Sequence, residues 1–252
     1  MMIGLFDLGG KTALVTGAST GLGRGMTLAL ASAGADMVLV DHVSCGEVVD
    51  EVRAMGRGAL TLTLDLLERG AASAAVDAAV GEFGKIDILV NNAGIIRRSP
   101  AIEFTEKDWD EVMTLNARSV FFLAQAAARD MFKRRYGKII NVASLLAFQG
   151  GILVPSYAAS KGAVAQLTKA LANEWAAGGI CVNAIAPGYM ATNNTKALRA
   201  DPVRSKAILD RIPAGRWGVP EDLQGAAVFL ASRASDYVNG HVLVVDGGWL
   251  AR

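Results

Sequence analysis

The sequence has few of the residues that most often carry metal or redox chemistry. Only two cysteines (Cys45, Cys181) and two histidines (His42, His241) occur in 252 residues, and neither pair has close spacing. Zinc sites and redox motifs need such residues near one another. We therefore expect no metal site and no histidine-dependent catalytic triad, and a reducing, cytoplasmic location.

The sequence also lacks a strong charge of either sign and a long apolar run. Lys and Arg total 25 against 24 Asp and Glu, a net charge of +1, which gives no electrostatic basis for binding nucleic acid or a membrane. No uncharged apolar run reaches about 18 residues, and Asp7 interrupts the short apolar start, so no signal peptide is expected. Hydrophobic residues at 52% predict a compact fold with a full-sized core.

Short β-branched runs alternate with longer segments of helical periodicity along the whole chain. The predicted strands are 12–16, 37–40, 60–64, 88–90, 138–142, 181–184 and 242–245, and the predicted helices are 23–33, 46–55, 71–83, 106–134, 157–176 and 221–232. Such alternation is typical of a parallel sheet with helices on both faces. We predict one α/β domain over residues 1–252, a doubly wound, seven-stranded Rossmann fold that binds ligands beyond the carboxyl ends of its strands.

One segment, residues 189–219, breaks this alternation. It is rich in Asn, Pro and Gly, and it predicts only short helical pieces. Because it follows a predicted strand, it should lie over the ligand edge of the sheet. Long excursions of this kind commonly serve as binding loops, so we predict a substrate lid here.

A glycine-rich turn joins the first predicted strand to the first predicted helix. Its glycines would let backbone amides approach a pyrophosphate at the helix N-terminus. The GxxxGxG spacing also fits a merely tight turn between strand and helix. The residues of this turn that we expect to bind a dinucleotide are Gly17, Ser19, Thr20, Gly21, Leu22 and Gly23.

Asp41 directly follows the second predicted strand, about 20 residues after the glycines. A carboxylate at this position can bind both ribose hydroxyls of NAD, and it repels the 2′-phosphate of NADP. The glycine turn has no basic residue to receive that phosphate, so we predict NAD; Arg24 and His42 are the residues that would weaken this preference. Asp65 closes the third strand, where it could reach the adenine end or simply cap the following helix.

Tyr157 and Lys161 are four residues apart in a predicted helix, so their side chains share one helix face. A free tyrosine titrates near pH ~10, too high for proton transfer at neutral pH. A neighbouring ammonium favours the phenolate and lowers that pKa. The spacing indicates a proton-transfer pair, although two surface residues can also have it by chance.

In their order and spacing, these motifs resemble those of the short-chain dehydrogenase/reductase family over essentially the whole chain. The family pattern adds Asn116 in the long helix and Ser144 after the fifth strand. It implies an NAD-dependent oxidoreductase acting on CH–OH groups and a homotetramer assembled through the long helices. The further cofactor-binding residues that the resemblance implies are Leu66, Asn92, Ala93, Gly94, Pro187, Gly188 and Thr192, together with Tyr157 and Lys161.

The family's mechanism transfers to this chain residue by residue. Tyr157 would exchange a proton with the substrate oxygen, and Lys161 would lower its pKa and hold the nicotinamide ribose. Ser144 would hydrogen-bond the reacting carbonyl or hydroxyl. Asn116 would position a water that links Lys161 to solvent, or else serve as a buried structural amide. Thr192 would anchor the nicotinamide carboxamide.

Stretches outside the common motifs, such as 91–98 and 211–218, resemble family members that act on deoxy sugar acids. Arginine binds a carboxylate with planar bidentate geometry, and six arginines lie near the ligand edge: Arg97, Arg98, Arg199, Arg204, Arg211 and Arg216. Arg97 is the first candidate, although several of the six could form salt bridges instead. The other predicted substrate residues are Gln149, Tyr189 and Asn193.

Three alternatives to a deoxy sugar acid dehydrogenase stay open on the sequence. The first is a gluconate or uronate oxidoreductase, and the second is a 3-oxoacyl thioester reductase of the same family. The third is a non-catalytic nucleotide-sensing module. Asp41 disfavours the thioester reductase, which would prefer NADPH, and the complete set of catalytic residues disfavours the sensor.

Overall fold

The structure is a computed structural model that describes residues 3–252, which form a seven-stranded, all-parallel sheet in the order β3-β2-β1-β4-β5-β6-β7. The strands are β1 (Thr12–Thr16), β2 (Asp36–Asp41), β3 (Ala59–Thr63), β4 (Ile88–Asn91), β5 (Gly137–Val142), β6 (Ile180–Pro187) and β7 (Val242–Val245). The predicted doubly wound Rossmann fold is confirmed. The strand order reverses between β1 and β4, and ligands of such sheets bind beyond that point.

Helices cover both faces of the sheet. They are α1 (Gly21–Ser32), α2 (Gly46–Ala54), α3 (Ala71–Phe83), α4 (Glu106–Met113), α5 (Ser119–Arg134), α6 (Pro155–Trp175), α7 (Lys196–Ala200), α8 (Pro202–Leu209) and α9 (Gln224–Ala231). Helices α1, α2 and α9 pack on one face, and α3, α5 and α6 pack on the other. None of the helices between residues 3 and 252 is long and apolar enough to cross a membrane.

The core follows from the alternation of side chains along each strand. Val15 and Leu39 face the α1 side, whereas Leu14 and Val38 face the α3 side. Every residue of β1, β4 and β5 is buried, because a strand covered on both faces exposes neither set of side chains. The central strands therefore hold the sheet's carboxyl edge rigidly in place.

Two predicted elements differ from the structure in an informative way. The single helix expected over 106–134 is interrupted by a π-helical turn, Thr114–Arg118, between α4 and α5. Such turns fit one extra residue into a helix and are frequent at functional sites. The sixth strand continues to Pro187, three residues beyond the prediction, because β7 pairs with it as far as Pro187 and Val245.

The segment 189–219 lies beyond the carboxyl end of β6. It contains a 3₁₀ turn, Asn193–Thr195, and then the short helices α7 and α8, as its composition predicts. A bridge between Met190 and Gly218 joins the two ends of the segment. The excursion therefore leaves and re-enters the fold at one point of the ligand edge.

Candidate active site

A cavity of about 700 Å³ runs along the carboxyl edge of the sheet, from Asp41 at one end to Tyr157 at the other. It is lined by these predicted site residues: Gly17, Ser19, Thr20, Gly21, Leu22, Asp41, Asp65, Leu66, Asn92, Ala93, Gly94, Arg97, Tyr157, Lys161, Thr192 and Asn193. Gly23, Pro187 and Gly188 lie outside the lining. A single elongated space thus joins the two motifs that the sequence places more than 100 residues apart.

The glycine turn between β1 and α1 is required by sterics. Gly17 has φ +65°, and a Cβ there would lie 2.9 Å from Nδ2 of Asn92. A Cβ on Gly23 would collide with the Gly17 carbonyl oxygen. Within residues 3–252, Thr20 at the helix N-cap makes no side-chain capping bond. The first amides of α1 therefore face the cavity, as a pyrophosphate site needs.

A polar latch holds the turn against the end of β4. The Thr16 hydroxyl accepts hydrogen bonds from the amides of Asn92 and Ala93, both at 3.0 Å. The side-chain amide of Asn92 donates hydrogen bonds to the main-chain carbonyls of Thr16 (2.9 Å) and Gly17 (3.1 Å). The Asn92 side chain therefore shapes the wall of the cavity beside the glycine turn. The sequence analysis did not predict Thr16 as a site residue, because a threonine at the end of a strand is common and carries no functional signal.

Asp41 is buried and fully hydrogen-bonded. One oxygen accepts from the amide (3.1 Å) and hydroxyl (2.7 Å) of Ser19, and the other from the amide (2.7 Å) and Nδ1 (2.8 Å) of His42. Burial alone would raise the pKa of Asp41, but these donors outweigh it and hold the pKa below its ordinary value. The carboxylate is charged at neutral pH and points into the cofactor end of the cavity.

Asp65 and Leu66 lie at the same end of the cavity, just after β3. Oδ1 of Asp65 accepts a hydrogen bond from the Leu67 amide at 2.9 Å. Asp65 thus closes a local turn, and helix α3 begins only at Ala71 behind Gly70. The expectation that Asp65 might cap that helix is wrong, because the turn intervenes, and the exposed carboxylate stays at the cavity wall.

Tyr157 and Lys161 share one face of α6, as predicted, and the ammonium lies 5.6 Å from the centre of the phenol ring. Lys161 donates a 2.6 Å hydrogen bond to the carbonyl of Val142 at the end of β5. Burial lowers the pKa of Lys161 to about 8. The Val142 carbonyl has no sequence signal, because every residue carries one.

The phenol of Tyr157 differs from expectation. Burial raises its pKa above the ordinary value, while a hydrogen bond with Ser144 and the charge of Arg98 act in the opposite direction. The prediction that Lys161 lowers this pKa is not met here, since the ammonium is held by Val142 and the low-polarity surroundings dominate. In the protein alone, Tyr157 is a protonated acid at neutral pH.

Asn116 sits in the π-helical turn and is completely buried. Its side chain accepts from the Ile95 amide and donates to the Ile95 carbonyl, both at 2.9 Å, and also donates to the Ser160 hydroxyl at 3.1 Å. It therefore clamps the loop after β4 to helix α6. Because the side-chain amide of Asn116 is engaged by Ile95 and Ser160, we expect a water beside Asn116 to be held by its main chain.

The predicted substrate residues fall into two groups. Asn193 lines the cavity with Thr192, at the start of the 189–219 segment. Gln149 instead accepts a 3.1 Å bond from the Trp249 indole, and Tyr189 packs edge-to-face on Trp217. Neither residue lines the cavity with Asn193, because Trp249 near the C-terminus contacts both.

Arg97, the first candidate among the arginines, lines the cavity, but its guanidinium is engaged by acidic side chains. It pairs with Glu111 (2.9 Å) and approaches Asp108 (3.5 Å), both on α4. Arg98 instead donates to the Asn194 carbonyl (2.9 Å) in the 189–219 segment, and its charge acts on Tyr157. Within residues 3–252, no carboxylate forms a salt bridge with Arg98. Sequence alone does not separate the two neighbours, since the acids that neutralise Arg97 belong to another element.

No cluster of metal-ligating residues occurs in the described part of the chain. The cavity near Tyr157 is lined by a phenol, an ammonium, a hydroxyl and amides. These groups can exchange a proton with a substrate oxygen beside a bound dinucleotide.

Comparison with known proteins identifies the class. A family model described as enoyl-(acyl carrier protein) reductase matches residues 17–250. The chain belongs to the short-chain dehydrogenase/reductase family and is an oxidoreductase.

One curated relative and two solved structures refine the comparison. The 2-dehydro-3-deoxy-D-gluconate 5-dehydrogenase of Dickeya dadantii is 63% identical over 253 residues, covering 100% of both chains. An Agrobacterium tumefaciens structure with bound NADP, provisionally described as a 2-deoxy-D-gluconate 3-dehydrogenase, is 56% identical with a TM-score of 0.93, over 98% of this chain and 99% of that one. A Burkholderia cenocepacia gluconate 5-dehydrogenase in complex with NADP and tartrate is 42% identical with a TM-score of 0.96, over 100% of both chains.

Proposed function

We propose that this chain is an NAD-preferring dehydrogenase that interconverts 2-dehydro-3-deoxy-D-gluconate and its 2,5-dioxo counterpart. The observation that carries the proposal is the 63% identity, over the whole length of both chains, to the Dickeya dadantii enzyme of that name. The cavity from Asp41 to Tyr157 supports it, because it offers a dinucleotide site that ends at a proton donor. The reaction belongs to the breakdown of uronates.

The described residues fit a nicotinamide dinucleotide. The amides at the start of α1 would hold the pyrophosphate, and Asp41 would hold the adenosine ribose. Lys161 and Thr192 would hold the nicotinamide end, which supplies or accepts the hydride when bound. Gly94 would allow this close approach, since a Cβ there would lie 3.1 Å from Oδ1 of Asn116 and crowd the wall.

The proton is assigned to Tyr157. Its raised pKa keeps the phenol protonated at neutral pH, which is the form that donates to the oxygen of a ketone being reduced. Ser144, whose side chain acts on the pKa of the Tyr157 phenol, would hold the same substrate oxygen and stabilise its developing charge. In the opposite direction the phenol must first lose its proton, so alkaline pH favours oxidation of the alcohol.

Arg98 is the residue that we propose binds the substrate carboxylate. It is exposed and free of acidic partners among residues 3–252, and it lies close enough to Tyr157 to lower the pKa of the phenol. Its bond to the Asn194 carbonyl also ties it to the 189–219 segment. A carboxylate bound by Arg98 would therefore place the chain of a sugar acid between this segment and Tyr157.

The 189–219 segment is proposed as a lid of a single-domain enzyme. Its first residues, Thr192 and Asn193, line the cavity, and its helices stand above the carboxyl edge of the sheet. Closure of such a lid would exclude water from the hydride-transfer step.

We also propose a cytoplasmic homotetramer. Trp109 on α4 and Phe122 on α5 expose large apolar surfaces (41% each) on neighbouring helices, which suits a subunit contact. Both cysteines are free thiols, which suits a reducing compartment.

The preference for NAD rests on Asp41, whose charge repels a 2′-phosphate. The Agrobacterium and Burkholderia structures contain NADP, so they support a nicotinamide cofactor but not the choice of NAD over NADP. The family model's description suggests an acyl thioester substrate instead. The balanced net charge of +1 argues against docking of an acidic carrier protein.

A gluconate 5-oxidoreductase is the second candidate, favoured by the Burkholderia structure. The discriminating experiment measures kcat/KM with NAD for 2-dehydro-3-deoxy-D-gluconate and with NADH for 5-keto-D-gluconate, with an acetoacetyl thioester and NADPH as a third arm. We expect the deoxy sugar acid to exceed the others by at least about tenfold, because a site that hydrogen-bonds one hydroxyl pattern rejects another. Faster turnover of 5-keto-D-gluconate or the thioester would overturn the proposal.

A further inference from the structure

We propose that His42 is a displaceable cap on Asp41 that sets how strongly the enzyme discriminates between NAD(H) and NADP(H). The inference rests on the proposed use of a nicotinamide dinucleotide and goes beyond it, because Asp41 alone predicts only a simple preference. It concerns which of its existing hydrogen bonds the Asp41 carboxylate must lose in order to bind a ribose.

The lone pairs of Asp41 are already occupied. A carboxylate oxygen has about two favourable acceptor positions, four for the group. Ser19 supplies two donors to one oxygen, and His42 supplies two to the other, all at 2.7–3.1 Å. Two ribose hydroxyls cannot add to this set at full strength. At least one existing donor must leave before the ribose can bind at full strength.

The His42 imidazole is the donor that can leave most easily. Its side chain is 76% exposed, whereas that of Asp41 is 6% exposed. The two main-chain amides are fixed by the backbone. The Ser19 hydroxyl can rotate, but its residue is anchored in the turn by its own amide bond to Asp41. Binding of NAD(H) therefore includes the cost of breaking the bond between the imidazole and Asp41.

The same imidazole can bind the 2′-phosphate of NADP(H) while it keeps its hydrogen bond to Asp41. For Nδ1 to donate to Asp41 it must carry a proton, so Nε2 becomes a second donor only when the ring is protonated. A protonated ring would then neutralise Asp41 on one side and receive the 2′-phosphate on the other. Removing the ring should therefore help NADH and harm NADPH.

The charged groups around His42 come from several elements. Asp41 contacts it directly from β2, and Asp65 lines the same cavity after β3. Arg24 on α1 is engaged by both oxygens of Glu51 on α2, at 2.7 and 2.8 Å. The Cys45 thiol before α2 stays neutral, because burial and the charge of Asp41 raise its pKa. The Arg24 guanidinium is therefore occupied by Glu51, and the groups that face the imidazole from β2 and β3 are carboxylates.

The test is equilibrium binding of NADH and NADPH, followed by energy transfer from tryptophan to the reduced nicotinamide, without substrate. For His42→Ala we expect NADH to bind about threefold to tenfold more tightly, the equivalent of one displaced hydrogen bond. NADPH should bind more weakly by a similar factor at pH 6. His42→Gln keeps a neutral donor for Asp41, so its NADH affinity should stay near wild type and only its NADPH affinity at pH 6 should fall.

The control is His241→Ala, which removes the other histidine, exposed at the start of β7. It should change neither affinity. Comparing variants at one pH cancels the titration of the 2′-phosphate itself. Unchanged affinities for both dinucleotides in His42→Ala would overturn the inference and leave the proposed function intact. Failure of the wild-type protein to bind either dinucleotide would overturn the proposed function, and the inference with it.

Discussion

The residues that we propose as catalytic include single buried side chains, and burial has a cost. Lys161 is 4% exposed, and among residues 3–252 its ammonium donates a hydrogen bond only to the Val142 carbonyl, a neutral acceptor. Taking an ammonium out of water without a counter-ion is unfavourable. The lowered pKa of Lys161, about 8, expresses that cost. The catalytic pair is therefore expected to reduce the stability of the fold that holds it.

The first prediction follows from this cost. Lys161→Met should abolish activity and raise the free energy of unfolding at pH 7 by up to about 3 kcal/mol, because a buried ammonium is replaced by an apolar side chain of similar length. Below pH 8 the native wild-type protein must carry the buried Lys161 charge, so the variant should show its full increase in unfolding free energy there. Between pH 8 and the ordinary pKa of 10.5, Lys161 is neutral in the native protein but protonated in the unfolded chain. The stability of the wild type therefore rises with pH, and the difference between variant and wild type should vanish.

Urea unfolding of the wild type and Lys161→Met at pH 7 and pH 10.5 measures this difference. Lys169→Met, on the exposed side of the same helix, is the matched control and should show no pH-dependent gain. A Lys161→Met protein that is less stable than the wild type at pH 7 would contradict the assignment.

The second prediction separates two neighbouring arginines. Arg98→Gln should raise KM for the sugar acid by about tenfold to a hundredfold, the usual worth of a charge-assisted hydrogen bond to a carboxylate. Arg97→Gln should leave KM within about twofold, because its charge is already used by Glu111. Steady-state kinetics at saturating NAD gives both values. A larger KM effect at Arg97 than at Arg98 would return the role to Arg97.

At the scale of elements, the π-helical turn Thr114–Arg118 is the feature that joins the site together. It turns Asn116 toward the loop after β4 and toward α6, where the amide bonds to Ile95 and Ser160. The loop leads to Arg98, and α6 carries Tyr157. The relative position of the two proposed substrate contacts therefore depends on one buried side chain.

Asn116→Ala should lower the free energy of unfolding by about 2–4 kcal/mol, since it leaves the amide and carbonyl of Ile95 without partners in a buried region. It should also lower kcat by more than tenfold, as the loop and α6 lose their common anchor. Denaturant unfolding and initial rates measure the two effects. Full activity in a destabilised Asn116→Ala protein would show that the clamp is structural only.

The sequence predicts elements far better than it predicts contacts between them. The strand 12–16 and the helix 71–83 match the structure residue for residue, because long apolar periodicity and a flanking glycine mark them. The π-helical turn was missed, since one inserted residue barely changes the helical pattern over 106–134. The contacts of Gln149 with Trp249 and of Arg97 with Glu111 were not predicted, because sequence periodicity cannot bring these separate elements together.

At the scale of the whole molecule, the apolar residues left exposed on α4 and α5 are explained if copies of the chain cover them. Phe122 is 41% exposed, and the Arg118 guanidinium lies 5.0 Å from its ring centre. Phe122→Glu should therefore convert the proposed tetramer of 26.3 kDa chains into smaller species, because it would bury a carboxylate in the contact.

Sedimentation velocity of the wild type and Phe122→Glu measures the change. Tyr237→Glu, at a fully exposed position near β7, is the matched control and should sediment like the wild type. Identical sedimentation of all three proteins would exclude a subunit contact through this face.

We propose that the cavity ends at a proton donor, Tyr157, beside a dinucleotide site that works independently of it. The most direct test is Tyr157→Phe, with kcat for oxidation of 2-dehydro-3-deoxy-D-gluconate and the dissociation constant of NADH measured on the same preparation. We predict a fall in kcat of at least about a thousandfold, within the range for loss of a general acid–base group, with NADH affinity within about threefold of the wild type. Turnover within tenfold of the wild type would contradict the account.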